Sequence, residues 1–183
     1  MDEKRGIGKD NKIPWHIRDD LIKLKSLTKG HTVILGRKTY DSMVFYYNRT
    51  GRPMPGRLYI VVTRDKDYKP ARDNAVVAHS LGEAIELARK KHLRGAYSVT
   101  SEVAERTPPR WSLGGEEEIF IIGGGQIFQQ ALPLANKLYL TIVKGDYNCD
   151  TFFPDYSEFK KVISEESKES EGYKYKFLEL ERS

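Results

Sequence analysis

The sequence predicts an α/β fold: one domain over residues 1–183, with a mainly parallel twisted sheet, flanking helices and a C-terminal antiparallel hairpin. Three observations predict it. Short runs of β-branched and aromatic residues recur along the chain. Stretches of helical periodicity separate them. After residue 143 the pattern changes to alternation around a polar turn.

The runs are TVILG (32–36), LYIVVT (58–63), NAVVAH (74–79), EIFIIG (118–123) and LYLTIV (138–143). Their apolar character suits strands covered on both faces of a parallel sheet. Helical patterns occupy 17–28, 38–47, 80–92 and 125–132. EFKKVISE (158–165) and GYKYKFLELE (172–181) alternate around SKESEG and read as the hairpin. Residues 93–117, which include RTPPRW and SLGG, follow neither period and read as a surface excursion longer than an ordinary loop.

A chain of 183 residues suits one domain with its own core. No apolar run approaches the roughly 18 residues of a membrane span. The charged start MDEKRGIG has no apolar signal region behind it, and a cytoplasmic address follows. The single cysteine, Cys149, leaves no intramolecular disulfide and no multi-cysteine metal site, so no metal is expected. The net charge of +5 is spread along the chain, which favours small anionic ligands over nucleic acid.

DNKIPWHIRDDLIKLK (10–25) carries the most informative irregularity. On a helix beginning near His16, Ile17, Asp20, Leu21 and Leu24 follow i, i+3, i+4, i+7 and share one face. Asp20 therefore falls inside an apolar stripe, while Asp19 points about 100° away. The ordinary preference of acids for a first helical turn accounts for Asp19 and stays open for Asp20. A buried carboxylate needs a partner, and two N–H donors side by side would match both of its oxygens.

Other stretches suggest ligand grips. LGRKT turns from a strand into a helix, where backbone amides beside Arg37, Lys38 and Thr39 suit a phosphate, or simply form a solvated turn. IIGGGQIF sets three glycines between strand and helix and allows close backbone approach, although glycines are common in such turns. GRPMPGR is a proline-stiffened turn ending in Arg57, whose planar guanidinium suits a carboxylate.

Taken in order, IGKDNKIPWHIRDDLIKLK, HTVILGRKTYDSM, GRPMPGR, IFIIGGGQIF and LYLTIVKGDYNCDTFFPDY resemble dihydrofolate reductase. The resemblance runs from Gly6 to Arg182 apart from two insertions. It implies NADPH-dependent reduction of 7,8-dihydrofolate by a dihydrofolate reductase-like monomer with no membrane partner. Asp20 would anchor the pterin with Thr141 in support and Trp15 nearby. Leu21, Leu24, Met43 and Ile122 would line the substrate slot, and Arg57 would take the substrate's α-carboxylate. Gly36, Arg37, Lys38 and Thr39 would hold NADPH phosphates, with Thr63 and Arg64 adding to the 2′-phosphate grip. Ile7 and Gly8 would lie near the nicotinamide. Gly123 and Gly124 would be joined by a cis peptide, followed by Gly125, Gln126 and Ile127 at the cofactor. Residues 9–14, KDNKIP, would form a mobile loop that closes over the nicotinamide.

Three departures stand out. Leu24 replaces the family's common phenylalanine, Gln126 replaces a frequent basic residue, and VFYYNRT is inserted before GRPMPGR. The family also begins with a short apolar strand, in the middle of its sheet, that MDEKR is too charged to replace. The expectation is that the sequence starts late, with residues 93–117 or a second chain as less favoured substitutes. Direct pairing of 118–122 with 138–143 would instead mean that the sheet has closed. Two other functions remain in view: another NADPH-linked pterin or pyrimidine reductase, and a non-catalytic basic nucleic-acid-binding module.

Overall fold

The computed structural model describes residues 1–95 and 118–183. In order these form β1 (Gly6–Gly8), α1 (Arg18–Thr28), β2 (Thr32–Gly36), α2 (Arg37–Thr50), β3 (Leu58–Val62), β4 (Ala75–Ala78) and α3 (Leu81–Gly95). From residue 118 onward come β5 (Ile119–Ile121), α4 (Gly125–Ala131), β6 (Lys137–Val143), β7 (Thr151–Phe152), β8 (Lys161–Ser170) and β9 (Tyr173–Glu181). They group into two units, Met1–Leu27 with Gly123–Ser183, and Thr28–Ile122.

The second unit is built on a parallel sheet of order β4-β3-β2-β5. Val33, Ile34 and Leu35 of β2 and Tyr59, Ile60 and Val61 of β3 have no exposed surface. These central strands are covered on both faces, which is why their sequences read as continuous apolar runs. The five expected strands all form, most of them slightly shorter than the runs that announced them, but only four lie in this parallel sheet: LYLTIV, expected there, becomes β6 and pairs antiparallel with β9.

Helix α2 runs beyond the expected end at residue 47. The inserted VFYYNRT continues the helix instead of adding a loop. Tyr40, Val44 and Tyr47, at i, i+4 and i+7, face the core and carry the helix onward. It stops where Gly51 takes a left-handed conformation (φ 64°), a common glycine helix cap. At the end of GRPMPGR, Gly56 donates its N–H to the Tyr59 hydroxyl at 2.7 Å. A Cβ there would come within 2.8 Å of the Tyr59 ring, so the turn depends on glycine. The excursion expected over 93–117 lies, from residue 96 onward, outside the described residues.

The first unit holds an antiparallel sheet of order β6-β9-β8 and a short pair, β1 with β7. The C-terminal hairpin forms, but its turn is much tighter than SKESEG. Residues SKES belong to β8, Ser170 pairs with Tyr173, and only Glu171 and Gly172 turn the chain. Both have positive φ (55° and 82°), the conformation of the two-residue hairpin turn whose twist matches the flanking strands. The outer strand β8 is largely exposed and dense in charge, with cross-strand pairs such as Lys161–Glu181 at 2.7 Å and Lys176–Glu165 at 3.2 Å. Such pairs add little stability, but a charged edge discourages pairing with other chains. No helix among the described residues is long and apolar enough to cross a membrane.

MDEKR is expected to be too charged to replace a buried parallel strand, and no strand forms over residues 1–5, although one isolated parallel bridge does. Asp2 forms a parallel bridge with Val143 of β6, and the Val143 N–H donates to the Met1 carbonyl at 2.8 Å. Asp2 is only 1% exposed. Its carboxylate accepts the backbone N–H groups of Gly6 at 2.7 Å, Lys4 at 2.9 Å and Tyr147 at 3.3 Å. Three amide donors replace the water that burial removes, so the charge is tolerated. Strands β5 and β6 belong to different sheets.

Replacing Asp2 with alanine strands these donors. The Asp2→Ala variant is expected to lose at least about 2 kcal/mol in a urea titration. Glu165→Ala, which breaks an exposed pair, should lose under about 1 kcal/mol. Comparable losses would show that the Asp2 network is not a stabilising feature.

Candidate active site

Pro14 and Trp15 lead into α1, and Trp15 and Ile17 are the residues that sink into the core. Trp15 is 8% exposed, meets Tyr147 edge-on with ring centroids 5.2 Å apart, and packs with Val143, Tyr175 and Phe177. It therefore has the packing role that any tryptophan at this position could have had. The first amide of the helix, on Arg18, donates to the Glu171 carboxylate at 2.7 Å, so the hairpin turn caps one of the free amides at the start of α1.

Asp20 is half-buried, not fully buried as its place in the stripe implied, and Leu21 and Leu24 beside it are half-buried too. Its Oδ1 accepts a hydrogen bond from Thr141 Oγ1 at 2.6 Å. The expected pairing of Asp20 with Thr141 is present. Asp19, which looked like an ordinary first-turn acid, has a specific partner: the Tyr175 hydroxyl donates to its Oδ2 at 2.9 Å. Burial, and then the bond to Asp19, push the Tyr175 phenol up to about 12, so it remains a donor through the neutral range.

Ile7 is half-buried in β1, and Gly8 accepts the Asp150 N–H at 3.0 Å. The segment KDNKIP begins as a closed turn. Lys9 and Lys12 exchange two backbone bonds of 2.8 Å, with Asp10 and Asn11 both at positive φ. Asp150 accepts the Asp10 N–H at 2.7 Å and ties this turn to the segment before β7. The Gly123–Gly124 peptide is cis, as the resemblance implied. A Cβ on Gly125 would meet the Thr151 side chain at 2.9 Å, so the backbones approach closely here. Gln126 is exposed and Ile127 buried at the start of α4.

The second unit carries the remaining residues. Gly36 ends β2 in an extended conformation, and α2 starts at Arg37 with no side-chain cap and no acid in its first turn. Arg37 and Lys38 are exposed there and Thr39 is half-buried. Thr63 is buried, and its hydroxyl accepts the Asp65 N–H at 3.2 Å, while Arg64 is exposed. Met43 and Ile122 are partly buried against the core formed by Val33, Leu35 and Tyr40. Arg57 is exposed and places its Nη2 3.5 Å from Thr32 Oγ1.

Three residues near these positions had no signal in local sequence. Tyr175 reaches Asp19 from 156 positions away, and the His79 ring meets the Thr63 carbonyl at 3.0 Å. Tyr68, in the polar stretch DKDYKP, stands beside Arg37. Periodicity reports a residue's own element and not the partner brought to it by folding.

The dihydrofolate reductase family model matches residues 1–182. This chain belongs to the dihydrofolate reductase family. It is 34% identical to the dihydrofolate reductase of Bacillus subtilis strain 168 over 186 aligned residues, covering 100% of this chain and 90% of that one. It is 36% identical to that of Staphylococcus haemolyticus, covering 100% and 92%. A solved dihydrofolate reductase from Enterococcus faecalis, complexed with NADP(H) and RAB-propyl, matches with a TM-score of 0.72 and 27% identity. That match covers 100% of this chain and 92% of the other.

The raised phenol of Tyr175 has a consequence at high pH. An acid whose pKa is raised on folding stabilises the fold fully below its unfolded value, here 10.0. That contribution is lost as pH rises through its folded value of about 12. Tyr175→Phe should cost about 1 kcal/mol near neutrality. It should also lose less stability than the unmutated protein across that alkaline window, measured by urea titration at stepped pH. An unchanged alkaline slope would remove Tyr175 from this account.

Proposed function

We infer that the protein catalyses NADPH-dependent reduction of 7,8-dihydrofolate to 5,6,7,8-tetrahydrofolate. The observation that carries this reading is the Asp20–Thr141 pair in a chain that matches the family from residue 1 to residue 182. Thr141 orients one oxygen of the carboxylate, and the carboxylate faces the pterin's side-by-side N–H donors. Asp20 is a binding and electrostatic group: it recognises the pterin edge and favours protonation of N5 by water. Leu21, Leu24, Met43 and Ile122 give the substrate apolar contacts, and the Arg57 guanidinium takes its α-carboxylate.

The chain's own residues fit NADPH. The uncapped, acid-free start of α2 presents amide donors beside exposed Arg37 and Lys38, with Thr39 next to them, as a phosphate group requires. Arg64 and Thr63, with Arg37, recognise the 2′-phosphate. Gly36 lies at the strand-to-helix entry beside that phosphate site, and Gly123, Gly124, Gly125, Gln126 and Ile127 form the second cofactor-binding turn. Ile7, Gly8 and Trp15 serve the nicotinamide end, and the 9–14 segment excludes water there. When bound, NADPH supplies the hydride that passes from nicotinamide C4 to pterin C6. The reading carries with it a cytoplasmic monomer acting on a small molecule, with no nucleic-acid or membrane partner.

The test is NADPH oxidation with dihydrofolate as substrate and methotrexate as competitor. Reduction of a different pterin or a pyrimidine, with dihydrofolate inert, would replace this reading with that of a related reductase. Within the same assay, Asp20→Asn should lower hydride transfer by about a hundredfold or more, the scale of a positioned acid–base group. Asp19→Asn can still accept the Tyr175 hydroxyl, so its rate should stay near that of the unmutated enzyme. Equal losses would sink the assignment of Asp20.

A further inference from the structure

Arg37 and Asp41 lie four residues apart on α2, the spacing at which opposite charges on a helix meet. Both side chains are exposed, yet among the described residues no ion pair joins them. Tyr68 lies close to both. Its hydroxyl donates to Asp41 Oδ1 at 2.5 Å, and the Arg37 guanidinium stands 5.9 Å from the centre of its ring. The second distance is at the outer limit of a cation–π contact. The ring is itself anchored, since Tyr68 is half-buried against the cluster of Tyr40, Val44 and Val61. Burial first, and then the bond to Asp41, push its phenol upward, so it remains a donor.

We propose that Tyr68 is a positioning residue for cofactor selection: it occupies the Asp41 carboxylate and offers its ring to Arg37, which keeps the guanidinium available for the 2′-phosphate of NADPH. This rests on the reading that Arg37 grips that phosphate. Without the Tyr68 hydroxyl, Asp41 is released to capture Arg37 along the helix. The cofactor's phosphate then competes with an intramolecular carboxylate. NADH lacks the 2′-phosphate and should be indifferent to the change.

The experiment measures NADPH and NADH dissociation constants by protein fluorescence on the 183-residue chain. Tyr68→Phe keeps the ring and removes the hydroxyl. It should weaken NADPH about three- to tenfold, the scale of one hydrogen bond plus one helical charge pair. NADH binding should change less than about twofold, within the scatter of a surface substitution. The double variant Tyr68→Phe with Asp41→Asn removes the competing charge and should restore NADPH binding. Arg37→Ala serves as the control. If Arg37→Ala weakens NADPH selectively but Tyr68→Phe does not, the role of Tyr68 is overturned while the Arg37 reading stands. If Arg37→Ala weakens both cofactors alike or neither, the Arg37 reading itself fails. Loss of both cofactors in Tyr68→Phe, or no rescue by Asp41→Asn, would show that Tyr68 only supports packing and would overturn the proposal.

Discussion

The first turn of α1 is held in place by three hydrogen bonds whose partners are brought to it only by folding. Glu171 accepts the Arg18 amide, Tyr175 donates to Asp19, and Thr141 donates to Asp20. Between its ends α1 has no fully buried side chain, and only Thr28 in its last turn is buried. Its orientation therefore depends on these polar contacts and on the anchoring of Trp15 and Ile17 just ahead of it. Bonds to ionised carboxylates are shorter and stronger than neutral ones, so they are suited to the task. Two aspartates adjacent in sequence thus acquire different work. Asp19 pins the helix to β9, and Asp20 is oriented by β6.

Charge is handled in two contrasting ways. Asp2 is enclosed, and backbone amides take the place of water around it. At the start of α2 the Arg37 side chain is exposed, where its charge is inexpensive to hold and can be reached by an anionic ligand. The exposed position brings its own hazard, because an exposed guanidinium can pair with a neighbouring acid. Tyr68 and Asp41 form a contact of their own at that position. The parallel sheet beneath carries no charge in its central strands and serves as a rigid support.

Most strands and helices were legible because they are announced by their own composition, whereas the short β1 and β7 were not among the expected runs. Val33-Ile34-Leu35 suits a strand covered on both sides, and Tyr40, Val44 and Tyr47 share a face on a helix. Endpoints were less legible. The stop of α2 at Gly51 and the hairpin turn at Glu171-Gly172 depend on left-handed backbone conformations, which a glycine permits but does not require. Sequence pattern placed the turn in SKESEG but could not choose its register, which the β8–β9 ladder sets by pairing Ser170 with Tyr173.

The sequence by itself determined the α/β class, the order of the elements, the family, and the positions that could meet a pterin and a phosphate. Those properties follow from local periodicity and from motifs that occupy contiguous stretches. Tertiary structure decided how far Asp20 is buried, which hydroxyl each aspartate receives, that Asp2 can be buried next to β6, and that Tyr68 bonds Asp41 with Arg37 near its ring. The partners in these contacts are 121 residues apart for Asp20 and Thr141, 145 for Asp2 and Tyr147, and 27 for Tyr68 and Asp41. No local spacing encodes such pairs. They exist because burying the apolar strands and faces fixes the backbone first, and polar side chains are then satisfied by whatever donors that backbone brings within reach.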